Sequence, residues 1–179
     1  LLAYNGAKDK LVTDLGYPPE VMEFVYKQDM IIINNKNYPI INDVIVLSPI
    51  EKQSEFVTKK LNSRIVKSEI NRKVSSFAED IQFTFGEEWK DHNKIYKEHE
   101  EEFFNYFDIV DDTKLKNSRV CDLGCGNGRW SYFLKDKCKE LILVDFSDAI
   151  FVTRKNLKDS DNCLFFMCDL RKIPFKDNF

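Results

Sequence analysis

The sequence predicts an α/β fold in residues 77–179, built on the first three strands of a parallel sheet. A short apolar run, residues 120–123, leads into a loop with glycine at every second position. Two later apolar runs, residues 141–144 and 163–168, are each followed by an aspartate. Continuous apolar runs of this kind, separated by stretches with helical spacing, are typical of strands that are buried on both faces.

Residues 1–49 are predicted to form a small β-rich subdomain, because short runs rich in Ile and Val alternate with turn residues. The expected elements are a short helix at 18–26, strands at 30–33, 38–41 and 44–47, and a hairpin turn at 34–37. Residues 38–47 resemble the end of a Trm112-like zinc-ribbon module. The cysteine pairs of that family do not occur in this part, so the resemblance implies no metal site. A plain β-hairpin subdomain is an equally open interpretation.

Residues 50–76 are predicted to be a helical linker, because they are polar with scattered apolar positions. A mobile segment fits the same pattern. From residue 77 a lead-in follows, in which residues 83–89 precede a helix that runs to about residue 107. The phenylalanines of this helix have the spacing of a core-facing stripe. His92 and His99 are expected at the surface.

The glycine-rich loop is the most specific feature of the chain. Glycine tolerates positive φ and lacks the Cβ that would keep a ligand away from the main chain. A loop with Gly124, Gly126 and Gly128 that opens onto a helix therefore suits a nucleoside-like ligand. The dinucleotide fingerprint G-x-G-x-x-G, counted from Gly124, would need a glycine where Arg129 stands. A nicotinamide-dependent oxidoreductase is therefore the disfavoured alternative.

Residues 122–128, Asp-Leu-Gly-Cys-Gly-Asn-Gly, resemble motif I of the class I S-adenosylmethionine-dependent methyltransferases, whose sheet is Rossmann-like. Asp145 ends the second predicted strand, where folds of this kind hold ribose hydroxyls. The resemblance implies that Phe146 flanks the adenine ring and that Asp169 faces its amino group. Alternatively, Asp145 could cap the next helix, Phe146 could belong to the core, and Asp169 could be a solvated turn residue.

The lead-in carries a second resemblance. Its Phe-Thr-Phe-Gly-Glu-Glu-Trp run at residues 83–89 is similar to a segment that precedes motif I in type 11 methyltransferases. In those proteins the segment lies over the cofactor and substrate cleft, which implies that Phe85 and Trp89 line it. A place in the core is the alternative for both aromatic side chains.

The resemblance implies S-adenosylmethionine as the cofactor, held by the positions that match the family's motifs. These are Trp89, Asp122, Gly124, Cys125, Gly126, Asn127, Gly128, Arg129, Asp145, Phe146, Asp169 and Leu170. Asn127 and Arg129 could instead serve as a helix cap and a surface charge, and the three glycines could form only a turn. No catalytic residue is assigned, and no metal ion is expected.

The implied activity is that of the cofactor-binding half of a methyltransferase acting on a small-molecule, lipid or sugar acceptor. The methyl donor is already activated, so the enzyme mainly aligns the reactants. Two alternatives stay open. One is a nucleoside-binding or regulatory module without catalysis, and the other is a fragment that is inactive without its C-terminal half.

Composition and charge argue against several classes of partner and location. The 179 residues carry a net charge of −3, which argues against a nucleic-acid binder. No apolar run is long enough for a membrane span, and no secretory signal is evident. The five cysteines lack metal-ligand spacing, and Cys121, Cys163 and Cys168 are expected to be buried thiols. Free thiols without a signal predict a cytoplasmic protein.

The segment after the third strand is short. The methyltransferase sheet is expected to have strand order 3-2-1-4-5-7-6, and residues 169–179 only approach its fourth strand. The first strand, normally central, would then lie at an edge, and one face of the sheet would be poorly buried. Because an exposed apolar edge pairs readily with another strand, the chain is expected to be unstable, to self-associate through that edge, or to be a fragment of a longer ordered protein.

Overall fold

A six-stranded sheet with helices packed against it makes up the described part of the chain. The computed structural model describes residues 30–33, 36–48, 53–62, 94–173 and 175. The strands are β1 Met30–Ile33, β2 Lys36–Ile41, β3 Val44–Val46, β4 Arg119–Leu123, β5 Glu140–Asp145 and β6 Cys163–Met167. The helices are α1 Glu55–Asn62, α2 Glu98–Tyr106, α3 Asp112–Leu115, α4 Arg129–Leu134 and α5 Ala149–Asn156, followed by a 3-10 helix at Leu170–Lys172.

Three predicted features lie outside the described residues. They are the helix at 18–26, the aromatic lead-in at 83–89 with Phe85 and Trp89, and His92. The predicted linker contributes α1, which covers part of it.

The sheet has the order β1-β2-β3-β6-β5-β4, and its last four strands, from β3 to β4, are parallel. Val144 of β5 lies opposite Leu123 of β4 on one side and Phe166 of β6 on the other. β5 and β6 are apolar almost without interruption, as expected of strands that lie inside a sheet and are buried on both faces. The predicted α/β class with a Rossmann-like sheet is confirmed, and its first three strands are adjacent in the predicted order.

The N-terminal strands differ from the prediction in where they lie. β1, β2 and β3 form an antiparallel meander, turned between β2 and β3 by Asn42 and Asp43 with φ of 48° and 64°. β3 then pairs in parallel with β6, with Ile45 opposite Phe166. The three strands therefore extend the main sheet instead of forming a sheet of their own. A domain boundary near residue 49 and the Trm112-like resemblance remain predictions.

A second expectation, that one face of the sheet is poorly buried, is wrong. Side chains alternate between two apolar clusters, one on each face of the sheet. Leu143 and Phe165 belong to the first cluster, and Val144 and Phe166 to the second; all four are at most 2% exposed. Both faces of the central strands are therefore buried.

The helices follow the aromatic pattern of the sequence only in part. Phe103 of α2 is buried and packs on Phe107 and Phe133, whereas Phe104 and Tyr106 are exposed. His99 lies on the same helix, and its Nδ1 accepts a hydrogen bond from the Tyr96 amide at 3.2 Å. None of the helices in the described ranges is long and apolar enough to cross a bilayer.

β4 lies at an edge of the sheet, as predicted. Of the described strands only β5 pairs with it, and Leu123 at its end is 52% exposed. Among the described strands, the meander therefore lies at one side of the sheet and β4 forms the edge at the other.

The meander is expected to contribute to the stability of the whole sheet. Ile45→Ala removes a fully buried side chain opposite Phe166 and should lower the free energy of unfolding by about 2–5 kcal/mol. Urea unfolding followed by circular dichroism and by tryptophan fluorescence measures this loss. The two signals should change together, because one sheet unfolds as one unit.

Asp43→Asn is the matched control in the same meander. It keeps a residue type that tolerates positive φ and removes the charge that pairs with Arg154 at 2.7 Å, in a half-exposed position. Its cost should stay below about 1 kcal/mol. A separate low-urea transition for Ile45→Ala would show instead that the meander is an independent unit.

Candidate functional site

The glycine loop, residues 124–128, connects β4 to α4 at the carboxyl end of the parallel strands. All three of its glycines have positive φ: 81° at Gly124, 55° at Gly126 and 77° at Gly128. The amides of Gly124 and Cys125 both donate to the Val144 carbonyl, at 2.7 and 3.1 Å. The loop is therefore tied to β5 before it turns towards the helix.

Two of the glycines have opposite surroundings. A Cβ at Gly124 would meet no atom within 4 Å, so the main chain there faces open space. A Cβ at Gly128 would lie 2.7 Å from Cγ2 of Thr153 and 3.0 Å from Cδ1 of Leu157. Gly128 is therefore needed for the close approach of α5, whereas Gly124 leaves room for a ligand against the backbone.

Asp145 joins the glycine loop to the loop that follows β5. Its Oδ2 accepts a hydrogen bond from the Gly126 amide at 2.9 Å. Its Oδ1 accepts from the Ser147 amide at 2.8 Å and from the Ser147 hydroxyl at 2.7 Å. The next helix begins at Ala149, whose amide donates to the Ser147 hydroxyl. Asp145 therefore fixes the loop ahead of the helix and does not itself cap it.

Asp122 places a second carboxylate at the end of the neighbouring strand. Burial raises its pKa, the charge of Asp145 raises it further, and a hydrogen bond from the Ser131 hydroxyl, at 2.5 Å, lowers it. The site thus concentrates negative charge where two parallel strands end, which favours a cationic ligand group.

The first turn of α4 attaches the loop to α2. Asn127 is buried and its Oδ1 accepts from the Arg129 amide at 3.0 Å, which is a capping role. The Arg129 guanidinium lies over the Trp130 ring at 4.1 Å and pairs with Glu102 at 3.6 Å. Trp130 in turn stacks on Tyr106. Arg129 is therefore held at the edge of the loop by side chains of two helices.

The end of β6 supplies the third part of the site. The Cys168 amide donates to the Asp145 carbonyl at 2.9 Å, which keeps the ends of β5 and β6 together. Asp169 is buried and caps the 3-10 helix, and Arg171 grips both of its carboxylate oxygens, at 3.0 and 2.7 Å. Leu170 is exposed, and Phe146 is half-buried. A solvated turn is therefore the wrong description of Asp169.

Sequence analysis did not identify three side chains that hold the loop and the strand before it. The Thr153 hydroxyl donates to the Gly126 carbonyl at 2.5 Å, the Asn156 amide to the Asn127 carbonyl at 2.9 Å, and Ser131 to Asp122. None belongs to a motif. Their only signal is that polar residues occupy the inward side of otherwise apolar helical patterns.

The cysteines are neutral thiols, and only some of them lie near the site. Cys125 is in the glycine loop and Cys168 follows β6, whereas Cys138 and Cys163 lie at the amino ends of β5 and β6. All five are free; four are buried and Cys121 is only half-buried, which corrects its expected burial. Burial raises the pKa of Cys121 to about 11, that of Cys163 to about 12 and that of Cys168 to about 11. Thiols in such surroundings are poor nucleophiles. Among the described residues, no group of three or more His, Cys, Asp or Glu side chains could hold a metal ion.

Comparison with known proteins supports the recognition made from the motifs. Residues 120–179 match the sequence model of a family described as "Methyltransferase domain". The matched segment begins in β4 and contains the glycine loop, Asp145 and Asp169. The predicted recognition of a class I methyltransferase is thereby confirmed for this segment. A search of curated proteins finds no match to the chain.

Substitution by alanine is expected to lower the free energy of unfolding less at Gly124 than at Gly128. Gly124→Ala meets open space, so only the positive φ opposes it, at about 1–2 kcal/mol. Gly128→Ala adds overpacking against Thr153 and Leu157, worth about 1–3 kcal/mol more. Urea denaturation of both variants measures the difference, and equal losses would contradict the close approach of α5 to Gly128.

The raised pKa of Asp122 predicts a pH dependence of stability. A raised pKa means that the folded state holds the proton more firmly than the unfolded state does, so stability is lost as the pH rises through the folded pKa. Asp122→Asn stays neutral and still accepts from Ser131. Its free energy of unfolding should exceed that of the wild type at pH 8, with a gain that shrinks towards pH 4.

Ser131→Ala is the control of opposite sign. It removes the hydrogen bond that stabilises the Asp122 carboxylate, so it should destabilise the protein more at pH 8 than at pH 4. Denaturant titrations at both pH values give the comparison. Parallel pH profiles for all three proteins would mean that Asp122 does not titrate abnormally.

Proposed function

We propose that this chain, whose residues 120–179 belong to the methyltransferase-domain family, binds S-adenosylmethionine as the cofactor-binding half of a methyltransferase. The observation that carries the proposal is the open main chain at Gly124, in a loop whose Gly126 amide donates to the carboxylate of Asp145. The acceptor is a small molecule, a lipid or a sugar. No nucleic-acid partner is proposed, because the chain is acidic.

The residues at the carboxyl ends of β4 and β5 fit the nucleoside part of this cofactor. Gly124 offers backbone without a Cβ, and Gly126 is held beside it by Asp145. A carboxylate oxygen can accept two hydrogen bonds. Within the described part of the chain, Asp145 Oδ2 accepts only from Gly126, so it has capacity for a ribose hydroxyl. Asp145 would therefore hold the ribose without giving up its hold on the loop.

The charge of the site fits the other end of the cofactor. The cofactor would supply a methyl group on a positively charged sulfur. Asp122 and Asp145 lie at the ends of adjacent strands. A cation near them would offset the burial and, to a smaller extent, the repulsion by Asp145 that raise the pKa of Asp122. The contribution of the chain to catalysis would then be to orient the donor, which is worth about 7–11 kcal/mol in well-aligned reactions.

The adenine end is proposed to lie near the end of β6. Leu170 offers exposed apolar surface, and Phe146 follows Asp145 directly. Asp169 would face the adenine amino group while Arg171 holds its orientation. The remaining residues proposed to line the pocket belong to the glycine loop and the start of α4: Cys125, Asn127, Gly128 and Arg129. Trp89 is proposed to cover the pocket. A cytoplasmic location is proposed from the five free thiols.

The open edge of β4 is proposed to associate with a second copy of the chain. An edge strand offers unpaired amides and carbonyls to another strand, and Leu123 adds exposed apolar surface. Sedimentation velocity over a range of concentrations should show dimers, and Leu123→Lys should reduce them, because a lysine on an edge strand opposes pairing. A monomer at every concentration would remove the proposal.

Asp145→Ala should weaken S-adenosylmethionine binding by about 2–4 kcal/mol, because charge-assisted hydrogen bonds are lost. Isothermal titration calorimetry measures the dissociation constant. Ser147→Ala is the matched control, since it removes one bond to Asp145 Oδ1 and leaves the carboxylate in place. It should cost less than about 1.5 kcal/mol. An unchanged constant for Asp145→Ala would exclude that residue from the pocket.

The same titration separates the proposed function from its alternatives. S-adenosylmethionine and S-adenosylhomocysteine should bind, and NAD should not, because Arg129 stands where the dinucleotide fingerprint needs glycine. Binding of NAD alone would favour an oxidoreductase. Binding of the adenosyl ligands without methyl transfer to any acceptor would favour a regulatory module.

A further inference from the structure

We propose that Thr153 and Asn156 of α5 are positioning residues that fix the main chain of the glycine loop in the conformation that receives the cofactor. The inference rests on the proposed function for its ligand, but its structural part concerns the loop alone. Neither side chain belongs to the glycine motif or to the strand-end aspartates. Both reach the loop from the side of α5.

Thr153 contacts the loop at two points. Its side chain is completely buried, and its hydroxyl donates to the Gly126 carbonyl at 2.5 Å. The same oxygen lies 3.2 Å from the Ala149 carbonyl of its own helix. Its Cγ2 occupies the space that a side chain at residue 128 would need. One residue thus determines both the direction of a loop carbonyl and the closest approach of the loop to α5.

Asn156 acts on the next carbonyl. Its Nδ2 donates to the Asn127 carbonyl at 2.9 Å. Two consecutive loop carbonyls, those of Gly126 and Asn127, are therefore both held by α5. Because a trans peptide is planar, fixing the direction of a carbonyl also fixes the amide of the following residue on the opposite side. Thr153 thereby turns the Asn127 amide away from α5.

The loop needs such support because glycine resists ordering more than any other residue. On the opposite side of the loop, Asp145 holds the Gly126 amide. Gly126 is therefore held on both sides: its amide donates to Asp145 of β5, and its carbonyl accepts from Thr153 of α5. Apolar packing of α5 is supplied by other residues, such as Ile150 and Leu157. A valine at position 153 would serve packing equally well, so the hydroxyl has a role beyond the core.

The test uses four variants of the full chain. Thr153→Val keeps the shape and loses the hydroxyl, Thr153→Ser keeps the hydroxyl, and Asn156→Ala removes the second donor. Ile150→Val is the control, because it trims the same helix at a buried position and removes no loop hydrogen bond. Calorimetry measures the dissociation constant for S-adenosylhomocysteine. Amide hydrogen exchange of residues 125–129 measures the order of the loop without ligand.

Thr153→Val and Asn156→Ala should each weaken binding about tenfold, which is about 1.4 kcal/mol, and speed exchange in the loop. Thr153→Ser should bind within about twofold of the wild type. Ile150→Val should melt at a lower temperature with unchanged affinity and unchanged loop exchange. If Thr153→Val does not fold, Asn156→Ala carries the test, because Asn156 is only partly buried.

Wild-type affinity and wild-type exchange in both Thr153→Val and Asn156→Ala would overturn the inference. Equal weakening by Ile150→Val would also overturn it, since any loss of core packing would then suffice. A third outcome separates the two proposals. If the wild type binds no adenosyl ligand, but the glycine loop exchanges faster in Thr153→Val than in the wild type, the proposed function fails and the positioning role of Thr153 stands.

Discussion

The hydrogen bond from the Gly126 amide to the Asp145 carboxylate connects the two halves of the site. The amide belongs to a loop of residues that prefer no single conformation, and the carboxylate ends a strand buried on both faces. A bond to a charged acceptor is about twice as strong as one between neutral groups. The rigid strand therefore imposes its position on the flexible loop. Two further sets of contacts hold the same loop: the Val144 carbonyl accepts from two of its amides, and α5 donates to its carbonyls.

The position of Asp145 depends in turn on how the sheet is completed. β5 lies between β4 and β6, and β6 would be an edge strand if β3 did not pair with it. Since Phe166 and Met167 are fully buried, an open edge at β6 would expose an apolar strand to water. The meander of β1 to β3 removes that edge on one side. It therefore supports the site from a distance, although it contributes no residue to it.

The strands and the glycine loop could be predicted because each has a local signature. Continuous apolar runs gave β5 and β6, and glycine at every second residue gave the turn with positive φ. The pairing of β3 with β6 could not be predicted, because nothing in Val44–Val46 specifies which distant strand it will join. For the same reason, the contact of Thr153 with the Gly126 carbonyl could not be predicted, because the sequence of α5 does not show which loop packs beside it. For Asp169, the sequence predicted a cofactor contact or a solvated turn. Its ion pair with Arg171 could not be predicted, because that contact depends on the 3-10 helix that brings the two residues together.

The buried charge of the site lowers the stability of the fold. A half-buried aspartate next to a second carboxylate favours its neutral form, which is why burial and Asp145 both raise the pKa of Asp122. A hydrophobic or amide side chain at that position would suit folding better. Sites that bind charged ligands often retain groups of this kind, because the ligand supplies the missing counter-charge. The hydroxyl of Ser131 reduces the cost by donating to the carboxylate, yet it leaves the net charge unchanged. The cationic cofactor proposed for the strand ends would supply the counter-charge that the fold itself does not.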